Sequence, residues 1–556
     1  MLAFFGNVHA QHTLFIPDTL SGTSFNLDVH RDSIRLKTGR ITQSLGINSY
    51  HYFGPTIILR KGDSVSLTVN NHIGDTTTMH WHGLHVAPSN DGGPQSMIMD
   101  GMDWTPRFVV RNRAATYWYH PHMMAKTAEQ AMKGDVGLIL VRDNEEAALT
   151  LPRRYGLDDF PIVVQSLELD TFNQFMPKGM KDSVVLVNGT DTPMVSMPAQ
   201  VVRMRMLNGS GERTFNFGFT ANKHFKIIAN DNGLLRTPVD VTRIWLSPGE
   251  RVEILIDLSG MQGQTIHLKS YASEIPMGVQ GGPTMPMPPG SPDMNSPLNG
   301  VDFNILQINI GAQTASPVTT IPTSLVADTP LIASMANAHR TIHMTADSMM
   351  VMDGPFYFNG NTFDMMRIDY KIPLNNIEIW TLLDSTMVAH PFHLHDVHFY
   401  ILDRNGVAPS PQEAGRKDVV LIKPNETVRF IAQFTDFADT TTPYMYHCHI
   451  LMHEDDGMMG QFLVGDYPNK INQPSTMPLS IKPNPAGNEL TIESDCFNGT
   501  QKPVVVVAQP DGRIVNVNTT FIDGRITVNT SDLCSGLYFV SVKSGSYTGT
   551  ATFVKE

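Results

Sequence analysis

Short apolar runs rich in β-branched residues recur throughout the 556-residue chain. Residues 64–69, 108–110, 137–141, 162–165, 201–206, 252–256 and 419–422 each read as a strand, because side chains two apart on an extended backbone share a face. Turn residues precede several of them. The same turn-then-strand phrase occurs three times: Lys61-Gly62-Asp63-Ser64-Val65, Pro248-Gly249-Glu250-Arg251-Val252 and Pro424-Asn425-Glu426-Thr427-Val428. Three related β-sandwich domains produce such a repetition. With Gly 43 and Pro 37 spread along the chain, short strands joined by turns are favoured over long helices. The expected fold class is all-β.

Residues 275–297 are dominated by Gly, Pro, Ser and Met with no strand or helix period, which predicts a long loop. Residues 335–352 read as a second irregular, Met-rich stretch, and the polar tract 467–478 as a boundary. Beyond it, strand candidates at 489–492, 503–508, 525–528 and 537–542 predict a small separate β-sandwich. The expected division is 11–150, 151–320, 321–467, a linker at 468–478 and a terminal domain at 479–556. Residues 1–10, with Leu2-Ala3-Phe4-Phe5 leading to Val8-His9-Ala10, read as the residue of an export signal. No apolar run is long enough for a transmembrane helix. The net charge of −13 removes the electrostatic footprint for nucleic acid or an anionic membrane. Of three cysteines, Cys496 and Cys534 lie close enough in sequence for a disulfide or for two separate thiols, and both readings stand.

The chemistry is concentrated in four places: His80-Trp81-His82, His120-Pro121-His122, His390-Pro391-Phe392-His393-Leu394-His395, and His447-Cys448-His449 followed by His453 and Met458. They hold ten of the chain's 21 histidines. On a strand, each His-x-His offers two imidazoles to one point in space. Four such pairs give eight imidazoles, whereas a mononuclear zinc site takes three or four ligands, so a multinuclear centre is expected. If His447 and His449 face one way, Cys448 faces the other, toward a second metal. His390, Cys448 and His453 supply a His₂Cys set and Met458 a weak axial thioether, the ligand set of a blue-copper electron-transfer site.

These four clusters resemble the copper-binding signature of the multicopper oxidases, over about Thr13 to Asp466, and most nearly that of bacterial three-domain copper efflux oxidases and laccases. The phrases that carry the likeness include His80-Trp81-His82-Gly83-Leu84, Trp118-Tyr119-His120-Pro121-His122 and His453-Glu454-Asp455-Asp456-Gly457-Met458-Met459. The resemblance implies three cupredoxin domains, with a trinuclear cluster between the first and third and the middle one as spacer. It implies four coppers: type 1 held by His390, Cys448, His453 and Met458; type 2 by His80 and His393; one type 3 by His82, His120 and His449; the other by His122, His395 and His447. It further implies that a reductant is oxidised one electron at a time at type 1. Electrons then pass through Cys448 to His447 and His449, and O₂ is reduced to water at the cluster. Asp91 and Glu454 match the family's acids beside the ligands and are candidates for proton delivery. His85, His343 and His398 fall outside the pattern and read as ordinary side chains.

The reductant is expected to be a phenol or aromatic amine, or cuprous ion, which soft thioethers favour among the chain's 32 methionines. Met277, Met285, Met287 and Met294 in the long loop, and Met344, Met349, Met350 and Met352 before the third domain, are rim candidates. Asp384 with Met387 only approximates the family's substrate-copper site. Residues 479–556 resemble the sorting domain read by type IX secretion, through Ile481-Lys482-Pro483-Asn484-Pro485-Ala486, Gly536-Leu537-Tyr538-Phe539-Val540 and Phe553-Val554-Lys555-Glu556. That resemblance implies the secretion machinery as partner and an exported protein, periplasmic in transit and then secreted or at the cell surface. The competing class is a non-catalytic copper-binding or storage protein, which has no need of Cys448 between two ligands. A zinc hydrolase lacks its open triad with a general base, and a copper nitrite reductase leaves several histidine pairs unused.

Overall fold

Alternation sets the first sheets. Along the strand Ser24–Ile34, Phe25, Leu27 and Val29 turn inward while their neighbours stay more exposed, and Ser64–His72 does the same with Val65, Leu67 and Val69. The two strands pair in parallel with Phe25 opposite Leu67 and Leu27 opposite Val69, so both apolar rows lie on one face. That face closes on a second sheet in which Thr56–Arg60, Gly137–Arg142, Ala115–His120 and His80–His82 are successive neighbours, forming the first sandwich. The computed structural model describes residues 11–49, 51–179, 181–284, 295–348, 351, 354–467, 475–494, 497, 503–510, 513–522, 524–544 and 547–556.

The second sandwich packs a six-stranded sheet on a seven-stranded one. Asp159–Leu167 and Val201–Asn208 are buried at every position, as befits interior strands of a sheet covered on both faces. The third packs the sheet carrying Ala338–Ala346, Ile377–Asp384 and Thr427–Gln433 on the one carrying Met459–Gly465, Asp439–Cys448, His390–Leu394 and Val419–Ile422. All three lie in one compact unit that ends at Tyr467. A second unit begins at Pro468 and holds two further sheets around Leu490, Ile492, Val507, Val540 and Phe553. The fold is all-β, and among the described residues the helical segments, such as Thr127–Met132 and Leu451–Asp455, are short. No helix among the described residues is long and apolar enough to cross a membrane.

One sequence reading is corrected. The stretch 335–352, which the sequence predicts to be irregular, contains the strand Ala338–Ala346, which buries Ile342 and Met344 while Thr341 and His343 stay exposed. Its period of two was masked by its methionines. The residual export signal at 1–10 and any pairing of Cys496 lie outside the described residues; Cys534 is exposed.

Candidate metal centres

Strand pairing brings the histidines together before any side-chain choice is made. His80–His82 runs antiparallel to Ala115–His120, with His80 opposite His120, and in the third sandwich His393 stands opposite His447 and Phe392 opposite Cys448. Trp81 turns away from its two neighbours into the first core, where it is fully buried. Gly92, at φ 79, lets the following loop fold back, since a Cβ there would lie 1.8 Å from the Met79 carbonyl oxygen. The two sandwiches face each other across the histidines. Ring centroids of His80 and His395 are 4.0 Å apart, those of His82 and His393 3.8 Å, and those of His122 and His447 4.8 Å.

Most of the rings are fixed from behind. The Nδ1 of His80, His120 and His393 donates to the carbonyl oxygens of Asp91, Pro121 and Asp418, each at 2.8 Å, and His395 Nδ1 lies 2.7 Å from Asp91 Oδ2. Glu454 stands between two more, 3.2 Å from His122 Nδ1 and 3.1 Å from His447 Nδ1. A carbonyl can only accept, so Nδ1 carries the hydrogen in those rings and Nε2 keeps its lone pair. The Nε2 atoms of His80, His122, His393, His395 and His447 are buried with no hydrogen-bond partner. His82 is reversed: its Nδ1 lies 3.3 Å from His120 Nε2 and 3.2 Å from His449 Nε2, while its Nε2 is 3.2 Å from Asp418 Oδ1. Burial and neighbouring imidazoles hold His80, His82, His393, His395 and His449 far below the usual histidine range, and burial takes His120 to about 3 and His122 to about 4. Neutral rings with inward lone pairs are what a metal ligand set requires, and unfilled they leave buried acceptors unsatisfied. The residues therefore fit a multinuclear metal cluster.

The second centre lies inside the third sandwich. Cys448 Sγ is 3.6 Å from His390 Nδ1 and 3.6 Å from His453 Nδ1, all three buried. Phe356 packs against both rings at centroid distances of 4.7 and 4.5 Å. The helix Leu451–Asp455 carries His453, and the chain then returns so that Cys448 N donates to the Met458 carbonyl at 3.0 Å. Met458 is fully buried in the same core as Cys448. Burial pushes the Cys448 thiol well above its usual range and takes His453 down to about 3. Without a metal this is a protonated thiol; a bound cation displaces the proton. Cys448 thus faces this centre while His447 and His449 face the cluster.

Asp91 and Glu454 are both buried against cluster imidazoles. Burial, then the nearby Asp396, raises the Asp91 carboxyl well above the carboxylate range. For Glu454 burial acts in the same direction, but His122 and His447 outweigh it and hold the group below its usual value. Sequence reasoning missed Asp418. Its carbonyl takes His393, its carboxylate touches His82, and that carboxylate receives both Arg251 terminal nitrogens, at 2.5 and 2.7 Å, together with the Asn232 amide. Arg251 comes from the middle sandwich, so that sandwich reaches the floor of the cluster. A charged residue opening the apolar run Val419-Val420-Leu421-Ile422 was the available signal. Thr386 was missed too; its hydroxyl is 2.9 Å from His390 Nε2.

The rim candidates divide. The loop at 275–284 packs beside the second centre: Ala389 N donates to the Gly278 carbonyl at 2.7 Å and Gln280 Nε2 to the Ala389 carbonyl at 3.0 Å, with Met277 51% exposed. The loop whose Met277 is a rim candidate thus touches the residue preceding His390. Met344 is in the core, not on a rim, and Met285, Met287, Met294, Met349, Met350 and Met352 lie outside the described residues. Asp384 is buried, accepts the Thr386 N–H at 2.8 Å, and is pushed by burial up to about 7, while Met387 is half-buried. His343 is exposed and His398 contacts Arg416 at 2.9 Å. Gly249, at φ 83, has no room for a side chain, since a Cβ would meet the His449 ring at 2.7 Å. Gly249→Ala is expected to cost the apoprotein at least about 1–2 kcal/mol from backbone strain alone. It should also weaken metal binding by displacing His449. Thermal unfolding and metal titration read the two effects.

Residues 28–146 and 328–468 match family models described as multicopper oxidase, and residues 480–556 match one described as a secretion system C-terminal sorting domain. The protein named multicopper oxidase mco of Staphylococcus epidermidis is 32% identical over 450 residues, covering 79% of this chain and 88% of that protein. Cell division protein FtsP of Escherichia coli is 30% identical over 467 residues, covering 82% of this chain and 94% of that one. Among solved structures, a bacterial laccase-like multi-copper oxidase, CueO, from Ochrobactrum sp. superposes with a TM-score of 0.72 at 31% identity, covering 81% of this chain and all of that one.

Proposed function

Because the chain belongs to the multicopper oxidase family and ends in a type IX secretion sorting domain, we propose that it is an exported copper oxidase that reduces O₂ to water. In this reading His390, Cys448, His453 and Met458 hold type 1 copper; His80 and His393 hold type 2; His82, His120 and His449 hold one type 3 copper, and His122, His395 and His447 the other. Bound there, four coppers supply one-electron redox steps and an O₂ site, so that four electrons and four protons convert one O₂ into two waters.

The chain's own residues do the rest. Cys448 is covalently joined to His447 and His449, so the two centres are linked by one tripeptide. Peptide and carboxylate acceptors behind His80, His120, His122, His393, His395 and His447 hold their Nε2 atoms toward the cluster. Asp91 and Glu454, in contact with four cluster imidazoles between them, are placed to hand over protons. The buried pair Asp418–Arg251 keeps His82 and His393 oriented. The observation that carries this reading is the Cys448 thiol set 3.6 Å from two imidazole nitrogens while its two neighbours face the other centre. A storage protein gains nothing from that arrangement. Relatives named for cell division share the likeness too, so the reading rests on this chain's own ligands.

For the reductant, Met344 in the core and Asp384 turned to its own loop favour a laccase-like substrate, a phenol or aromatic amine, at the His390 edge. Exposed Met277 beside the Gly278–Ala389 contact favours cuprous ion as the second reading. Oxygen uptake by copper-loaded protein, with a simple phenol or a buffered cuprous complex as sole reductant, separates them. Faster uptake with the phenol is expected. Faster uptake with Cu(I) supports the second reading, and uptake with neither returns the protein to a binding role. Excising residues 285–294 then reads the Met loop: a fall in cuprous oxidation alone assigns it to copper, and an equal effect on both substrates makes it structural.

A further inference from the structure

His85 lies three residues beyond His82, outside every metal-binding phrase. Its backbone N–H donates to Asn112 Oδ1 at 2.9 Å, and both ring nitrogens meet carboxylates of the third sandwich: Nδ1 is 2.7 Å from Asp396 Oδ1 and Nε2 2.9 Å from Asp436 Oδ2. The Asp396 carbonyl oxygen, 3.0 Å from Nδ1, can only accept, and so does the ionised Asp436 carboxylate at Nε2, so the arrangement is satisfied when both nitrogens carry hydrogen, as in imidazolium. Phe437 packs against the ring at 4.8 Å. His85 therefore ties the strand end that carries His82 to two loops of the opposite sandwich.

What it grips on the far side is the residue after His395. Asp396 is buried and holds φ 73, the left-handed turn conformation that Asp adopts more readily than most residues. The Val397 N–H donates to the His395 carbonyl at 2.9 Å, closing the turn. The direction of the His395 ring thus depends on a turn held from the side by His85. We propose that His85 is a positioning residue: as an imidazolium it fixes Asp396, and through it His395, against the first sandwich's half of the cluster. This rests on the cluster reading given above.

Other charged groups converge on the same place. Arg111, from the first sandwich, reaches Asp436 at 3.1 Å; His398 and Arg416 line the far wall, and the Tyr444 hydroxyl lies near Asp396. A cavity of about 270 Å³ opens between them and gives the ring access to protons. Burial opposes the charge on His85, but Asp396 and then Asp436 outweigh it, bringing the group from 6.5 up to about 9. Its folded value is the higher, so its contribution to stability is complete below about 6.5 and is lost as pH rises through about 9.

The test compares wild type, His85→Gln and His85→Arg in the full chain. In the apoprotein, thermal unfolding across that alkaline window is expected to lose stability in wild type, whereas His85→Gln lacks this component and His85→Arg keeps its charge throughout. After copper loading, His85→Gln is expected to bind cluster copper about 10–100-fold more weakly while the Cys448-centred visible band stays, and His85→Arg to recover most of the loss. A His85→Gln protein with wild-type copper retention would overturn the proposal. So would His85→Gln losing the visible band and cluster copper alike, or His85→Arg failing to rescue. Wild-type protein that binds no copper beyond the Cys448 centre would instead defeat the cluster reading, and the apoprotein pH profile still reads the His85 contact in that case.

Discussion

Cys448→Ser is expected to remove the intense visible absorption and the oxidase activity together, while the protein still folds and still binds copper at the eight facing histidines. The thiolate is the only soft anionic donor at the second centre, where Cys448 Sγ lies 3.6 Å from two Nδ1 atoms. A serine hydroxyl there stays protonated and gives neither the colour nor the electron path. The cost to folding is bounded by one buried hydroxyl, about 1–3 kcal/mol. The backbone of 447–449 is unchanged, because the Cys448 N–H still donates to the Met458 carbonyl. Absorption spectra, copper content and oxygen uptake on one preparation read all three consequences. A blue, active Cys448→Ser protein would refute the assignment.

Asp418→Asn is expected to have the largest effect on stability. Arg251 is fully buried and its charge is answered by the Asp418 carboxylate through two hydrogen bonds, with Asp231 alongside. Removing one partner of a buried pair costs about 3–5 kcal/mol, because the remaining charge is left uncompensated. His82 Nε2 loses its carboxylate neighbour at the same time, so copper loading should fall beyond what instability explains. Asp418→Asn combined with Arg251→Met removes the stranded charge, and most of the folding loss is expected to return while the copper defect stays. Urea unfolding of the apoproteins and copper titration separate the two. A single variant that unfolds like wild type would show that the pair does not anchor the site.

The ten histidines and Cys448 were legible because each phrase spans a few residues and the pleat of a strand decides which side chains share a face. His447-Cys448-His449 could be divided between two centres for that reason alone. The partners behind the rings were not legible in the same way. Asp418 and Arg251 are 167 residues apart, and His85 and Asp396 are 311 apart; no local period joins them. His85 is not legible as more than an ordinary side chain because it falls just beyond the phrase that ends at Leu84, although its neighbours in space are two carboxylates. The strand Ala338–Ala346 is hidden for the opposite reason: Ile342 and Met344 alternate with Thr341 and His343, but the methionines of the surrounding stretch blur that period. Folding also brought the 275–284 loop onto Ala389, a contact between sandwiches that composition could not locate.

The central claim is four-electron chemistry at a cluster fed through Cys448. It is tested most directly by the ratio of reductant oxidised to O₂ consumed in copper-loaded protein, with hydrogen peroxide assayed in the same vessel. The account predicts four one-electron equivalents per O₂ and no peroxide. Two equivalents per O₂ with peroxide released, or no oxygen consumed with any reductant, would contradict it.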